Sequence, residues 1–100
     1  MNGSGHATIT QNQLKQAERT LKALANRRRL SILRYLQTHP RATVGELAEA
    51  IKLSFKSTSR HLSVLSGADL IEREQRSLNV HYALATPLDA ATKAALSLLS

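Results

Sequence analysis

One hundred residues with 42% apolar content suffice for one small domain, and with one Phe, two Tyr and no Trp its core has to be built mostly from Leu, Ile, Val and Ala. The lack of cysteine excludes disulfides, thiolate metal sites and thiol redox switches, and no apolar run approaches the roughly 20 residues that span a bilayer, so no membrane span is expected. Fourteen Lys and Arg against seven Asp and Glu leave a charge of +7, a field that attracts polyanions, nucleic acid first and an anionic membrane surface second.

Residues 1–10, MNGSGHATIT, are small and polar and read as a disordered leader. They show neither the positive n-region nor the apolar h-region of a secretory signal, so the expected location is cytoplasmic. Residues 11–100 read as a single domain. From about Gln11 a helical pattern sets in, with Leu14, Ala17, Leu21 and Leu24 along one face and Glu18 placed four residues before Lys22. Asn26 offers a cap for a second helix, in which Leu30, Leu33 and Leu36 recur at core spacing and which stops before Pro40. Arg27, Arg28 and Arg29 fall in its first turn, where the helix dipole disfavours positive charge. Local propensity does not account for them: they either meet phosphates or partner carboxylates, or form a solvated cationic face with one arginine paired internally.

The stretch Thr43 to Gly67 organises the chain. Thr43 and Glu46 form a T-x-x-E capping box ahead of a helix carrying Leu47 and Ile51 on one face. Lys52-Leu53-Ser54 interrupts it, and Ser54 caps a second helix over residues 55–67. There Thr58, Leu62 and Leu65 make the inward stripe, leaving Lys56, Ser57, Ser59, Arg60, His61 and Ser63 outside. A face of hydroxyls, Lys, Arg and His without a carboxylate suits a helix that reads the major groove, because phosphates repel Asp and Glu while base edges accept from Arg and Ser. His61 either donates to a phosphate or bonds inside the motif.

After Gly67-Ala68-Asp69 come two short extended segments, 70–74 and 79–84, with Ile71 in the first and Val80, Tyr82 and Leu84 alternating in the second. They suggest a β-hairpin, and without Asn-Gly or Asp-Gly a loop longer than two residues is expected. Such a hairpin can reach the neighbouring minor groove or backbone through Arg73 and Arg76. Thr86-Pro87 reads as cap and first residue of a last helix, with Asp89 in its first turn. Leu88, Ala91, Ala95 and Leu99 form an apolar stripe there. Together with Leu14, Ala17 and Leu21 of the first helix it is expected to form a homodimer interface.

With this order of elements, the chain resembles the ArsR-type winged helix-turn-helix regulators over about residues 14 to 99. LKALANRRRLSILRYL at 21–36 is similar to the family's opening, ELAEAIKLSFKSTSRHLSVL at 46–65 to its E-L-A…S-x-H-L core, and Val80-His81-Tyr82-Ala83-Leu84 to its closing wing strand. The resemblance implies a mainly α fold with five helices and a small β-hairpin, in the order α-α-α-α-β-β-α. It also implies a homodimer that binds a palindromic stretch of double-stranded DNA, one reading helix per half-site. By the same resemblance Lys56, Ser57, Ser59, Arg60 and His61 fall at DNA-facing positions, and Arg76 in the wing. Three departures stand out. Metal-sensing members use Cys pairs or Asp and His clusters, whereas Thr43-Val44-Gly45 and the last helix here hold neither, so no metal site and no cofactor are expected. Asp69 replaces the usual Gly after the reading helix, and Phe55 replaces the usual polar residue at its start, where it either touches a thymine methyl or packs on the preceding helix.

The expected function is therefore sequence-specific DNA binding by a transcriptional regulator, a repressor that occupies a promoter. The alternative is a winged-helix module for protein–protein contacts, its charge incidental. An enzyme is not expected: Ser59, His61 and Ser63 share one helix, which cannot set a Ser-His-Asp triad with Asp69, and no glycine-rich phosphate loop is present. The operator, the regulated genes and any inducer are not encoded in a readable way.

Overall fold

The computed structural model describes residues 8–100, in the order α1 (Gln11–Leu24), α2 (Arg27–Thr38), α3 (Val44–Ile51), α4 (Phe55–Gly67), β1 (Ile71–Arg76), β2 (Asn79–Leu84) and α5 (Ala90–Ser97). Most of the expected leader lies outside the described residues; Thr10, at its end, caps α1 in a reciprocal box with Gln13. The other helix starts follow from local chemistry. Asn26 Oδ1 accepts from the backbone N–H groups of Arg28 and Arg29, Thr43 and Glu46 exchange both bonds of their box, and Ser54 Oγ accepts from Ser57 N–H.

The core lies where α2, α3 and α4 converge. Ile32, Leu33, Leu47, Leu62 and Leu65 are its centre, closed by Leu70, Tyr82 and Leu96. β1 and β2 pair antiparallel from Ile71↔Leu84 to Arg76↔Asn79, and the alternation of β2 buries Tyr82 while Val80 and Leu84 pack at the margin. Ala42, in the α2–α3 connection, exchanges both backbone bonds with Tyr82. That bridge fixes the hairpin beside the N-terminus of α3.

Two expectations need correction. The hairpin closes through only two residues, Ser77 and Leu78, because Ser77 takes the left-handed backbone (φ 57°) that a tight connection needs without a glycine. The last helix starts at Ala90, not at Pro87: the cap is Asp89, whose Oδ1 accepts from Ala91 N–H at 2.7 Å, while Thr86 stands three residues before it with its N–H donated to Glu72 Oε2 of the hairpin. Asp69 occupies the left-handed region (φ 61°) after α4, as expected of a residue standing in for glycine. The α1 stripe also divides. Leu24 is buried with Thr20 and Ala23, whereas Leu14, Ala17 and Leu21 face outward.

Candidate nucleic-acid interface

α3, the turn at Lys52 to Ser54, and α4 form the helix-turn-helix. Lys52 ends α3 in the left-handed conformation (φ 57°), its N–H reaching back to Ala48 and Glu49 carbonyls, which turns the chain sharply enough for Ser54 to start α4. Thr58, Leu62 and Leu65 anchor α4 in the core, so its opposite side is presented outward. Lys56, Arg60 and Ser63 are exposed there, and no Asp or Glu occurs anywhere in α4. The half-buried residues divide between the two flanks. Ser59 joins Phe55 in a groove bounded by Arg73 and Asn79 of the hairpin, whereas His61 faces α2.

His61 is held by Arg29, whose Nη1 lies 3.2 Å from its Nδ1. A guanidinium can only donate, so Nδ1 accepts and the ring proton sits on Nε2. Burial, and next the adjacent Arg29 charge, hold the His61 pKa below its usual value, which keeps the ring neutral near pH 7. The same guanidinium donates to the Ala23 carbonyl at 2.7 Å and the Lys22 carbonyl at 2.9 Å, the open end of α1. Arg28 reaches the Ile51 carbonyl at the end of α3 at 3.3 Å. The arginine cluster is thereby explained: two of its members leave the positive end of their own helix for the negative ends of two others. Arg27 stays exposed. The triplet's position was visible in the sequence, but the bond from Arg29 to a residue 32 positions away was not.

In the hairpin, Arg73 and Arg76 are both exposed. Arg76 lies 3.3 Å from Glu74, which also sits 3.9 Å from Arg41; exposed pairs of this kind are weak and open readily to a stronger anion. Phe55 is 63% exposed at the tip of α4, where it shares a groove with Val44 and Gly45 at the start of α3. Of the apolar residues expected at an interface, Leu14, Ala17, Leu21 and Leu99 are exposed, and Leu88, Ala91 and Ala95 are half-buried against the core. Among the described residues, no three His, Asp or Glu side chains converge on a point that could hold a metal ion.

Residues 24–74 match the helix-turn-helix domain family. Over 70 residues the chain is 33% identical to the HTH-type transcriptional regulator YgaV of Escherichia coli K12, an alignment spanning 70% of this chain and 71% of YgaV. Its fold is similar to that of HlyU from Vibrio cholerae (33% identity, TM-score 0.72, covering 90% of this chain and 94% of HlyU). It is also similar to the homodimeric winged helix-turn-helix domain of Mb0332 from Mycobacterium bovis, described as a possible ArsR-family regulator (27% identity, TM-score 0.74, covering 93% and 85%). The chain is an ArsR-type regulator. ArsR-type regulators bind DNA and control transcription without catalysing a reaction, and that is the class of activity this fold carries here. Among the described residues no helix is long and apolar enough to cross a membrane.

Proposed function

We propose that this ArsR-type regulator is a cytoplasmic homodimeric repressor whose α4 helices enter successive major grooves of a palindromic operator. The observation that carries the reading is the outward face of α4: Lys56, Arg60 and Ser63 exposed, Ser57 and Ser59 at its margins, and no carboxylate in the helix. With Nδ1 of His61 taken by Arg29, Nε2–H is the donor this ring has left to offer a phosphate. Arg73 and Arg76 extend the basic surface along the hairpin toward the flanking backbone.

Dimerisation is supported by α1. Every residue from Gln11 to Arg19 is exposed, and an isolated helix of this length is marginal in water. Leu14 and Leu21, 49% and 58% exposed, need a partner, and Ala17 between them permits close approach. A second copy, offering the same face across a two-fold axis with Leu88, Ala91, Ala95 and Leu99 of α5, supplies one. Two α4 helices related in this way read half-sites about 34 Å apart, one helical turn of DNA.

Selection of bound fragments from random DNA, followed by gel shifts over a salt series, tests the reading. Each neutralised phosphate contributes about −0.9 to the log–log salt slope. A steep slope and a palindromic consensus are expected; binding that ignores salt would favour a protein-interaction module instead. Leu14→Glu with Leu21→Glu should give a monomer by light scattering with weakened operator binding. An unchanged dimer in that variant would remove α1 from the interface.

A further inference from the structure

Phe55, the chain's single phenylalanine, stands apart from the core. It is the first residue of α4, fixed there by the Ser54 cap, and it is 63% exposed. One exposed apolar side chain is ordinary, but Phe55 and the exposed Leu78 line one groove beside the cations of α4, and apolar groups gathered in this way mark a contact surface. Its neighbours say of what kind. On one side Phe55 shares a shallow concavity with Lys56, Ser59, Arg60 and Ser63, and on the other a groove with Arg73 and the hairpin-tip Leu78, which is 96% exposed. Cations and hydroxyls line the first of these; Val44, Leu78, Val80 and Tyr82 share the second with Arg73 and Ser59, and neither is lined by a carboxylate. A partner that satisfies both the cations and the ring must present phosphates and an apolar group close together.

In the major groove only one base offers an apolar group at its edge, thymine through its 5-methyl. The N-terminal residues of a reading helix are those that meet base edges. We infer that Phe55 is a specificity residue that reads one thymine methyl per half-site, a role that rests on α4 being the reading helix. Leu78, at the hairpin tip, forms the far wall of the groove beside it.

The test uses the full-length protein and its selected operator, with each thymine replaced singly by deoxyuridine. That exchange removes the methyl group and leaves every hydrogen-bonding atom in place. At one thymine per half-site the wild type should lose about fourfold in affinity, the effect of withdrawing one buried methyl. Phe55→Ala should bind the thymine and uracil operators equally, and its selected sites should lose the preference for thymine at that position. Phe55→Leu should keep part of the discrimination, and Leu78→Ser should weaken binding to both operators alike. Because the ring is exposed, Phe55→Ala should unfold at the wild-type urea midpoint, which separates a lost contact from a damaged fold. A methyl preference that survives Phe55→Ala, or a wild type with none, overturns the inference while leaving α4 as the reading helix. A wild type that cannot tell its selected operator from random DNA removes the reading helix, and the role of Phe55 with it.

Discussion

Replacing Arg29 with alanine should destabilise the domain far more than its place on a charged helix turn suggests. The guanidinium makes three contacts: the Ala23 carbonyl at 2.7 Å, the Lys22 carbonyl at 2.9 Å and His61 Nδ1 at 3.2 Å. The Lys22 bond is exposed, so water takes it over at little cost. The other two are partly buried, and hydrogen bonds to a charged donor contribute about 1.5–3 kcal/mol each, less where solvent screens them. A loss of about 2–4 kcal/mol follows, a large fraction of the roughly 5–15 kcal/mol that holds a small domain together. In urea the midpoint should fall by about 1–2 M at fixed protomer concentration, which matters because dimerisation adds to apparent stability. Arg29→Lys supplies charge without the planar fork and should recover less than half of the loss. The His61 ring, titrated by NMR in Arg29→Ala, should show a pKa moved back up toward its ordinary value. A midpoint within experimental error of wild type, or full rescue by lysine, would show that the fork contributes nothing and that α1 is held by its apolar contacts alone.

Three further outcomes follow from the same geometry. The fold holds the His61 pKa below 6.5, so the unfolded chain takes up the proton first; stability from this residue should be complete above pH 6.5 and fall as pH drops through the lower folded value, a slope that His61→Gln should lack in urea titrations across pH 5–7. The Thr58 hydroxyl is fully buried without a hydrogen-bond partner, so Thr58→Val should be neutral or raise stability by up to about 1–2 kcal/mol with operator affinity unchanged; clear destabilisation by thermal melting would mean the hydroxyl is satisfied. Lys56→Ala should lower the salt slope of DNA binding by about one on every sequence, whereas Arg60→Ala should relax preference at one position per half-site, and gel shifts unchanged by both would remove this face from the interface.

What could be read from the chain alone was what depends on near neighbours. Thr43 with Glu46, Asn26 and Ser54 cap the helices that their spacing announces, and the i, i+4, i+7 stripe of Thr58, Leu62 and Leu65 sets which side of α4 turns outward. Legibility failed where a backbone group chose a distant partner. Thr86 has the hydroxyl of a helix cap, yet the cap is Asp89, three residues on, and the backbone N–H of Thr86 is tied instead to Glu72 of the hairpin. Ser77 carries no glycine-like signature, yet adopts the positive φ that closes a two-residue turn. Phe55 lies near the buried side of α4 by periodicity, but it is the helix's first residue, where no preceding turn covers it. Arg29 was visible as one of three equivalent arginines; its distinction is a reach across the fold, which no local pattern encodes.

The charge of +7 takes its meaning from where the seven carboxylates stand. Glu46 and Asp89 are occupied in helix caps and Glu72 holds the Thr86 N–H, while Glu18, Asp69 and Glu74 pair with Lys22, Arg19 and with Arg41 and Arg76. That leaves Glu49, on α3, and none falls within α4. Four of the fourteen cations pair with these carboxylates and ten do not; the ten are spread over the fold, and Lys56 and Arg60 are the two that stand on α4, a helix with no carboxylate of its own to offset their field. Such a field draws in any phosphate backbone and carries no sequence information. Discrimination on this surface has to come from directional donors and from side chains without charge. The forked guanidinium of Arg60, the hydroxyls of Ser57, Ser59 and Ser63, and the ring of Phe55 are the groups so placed, and of these only the ring is apolar, the group for which a thymine methyl is proposed as the partner.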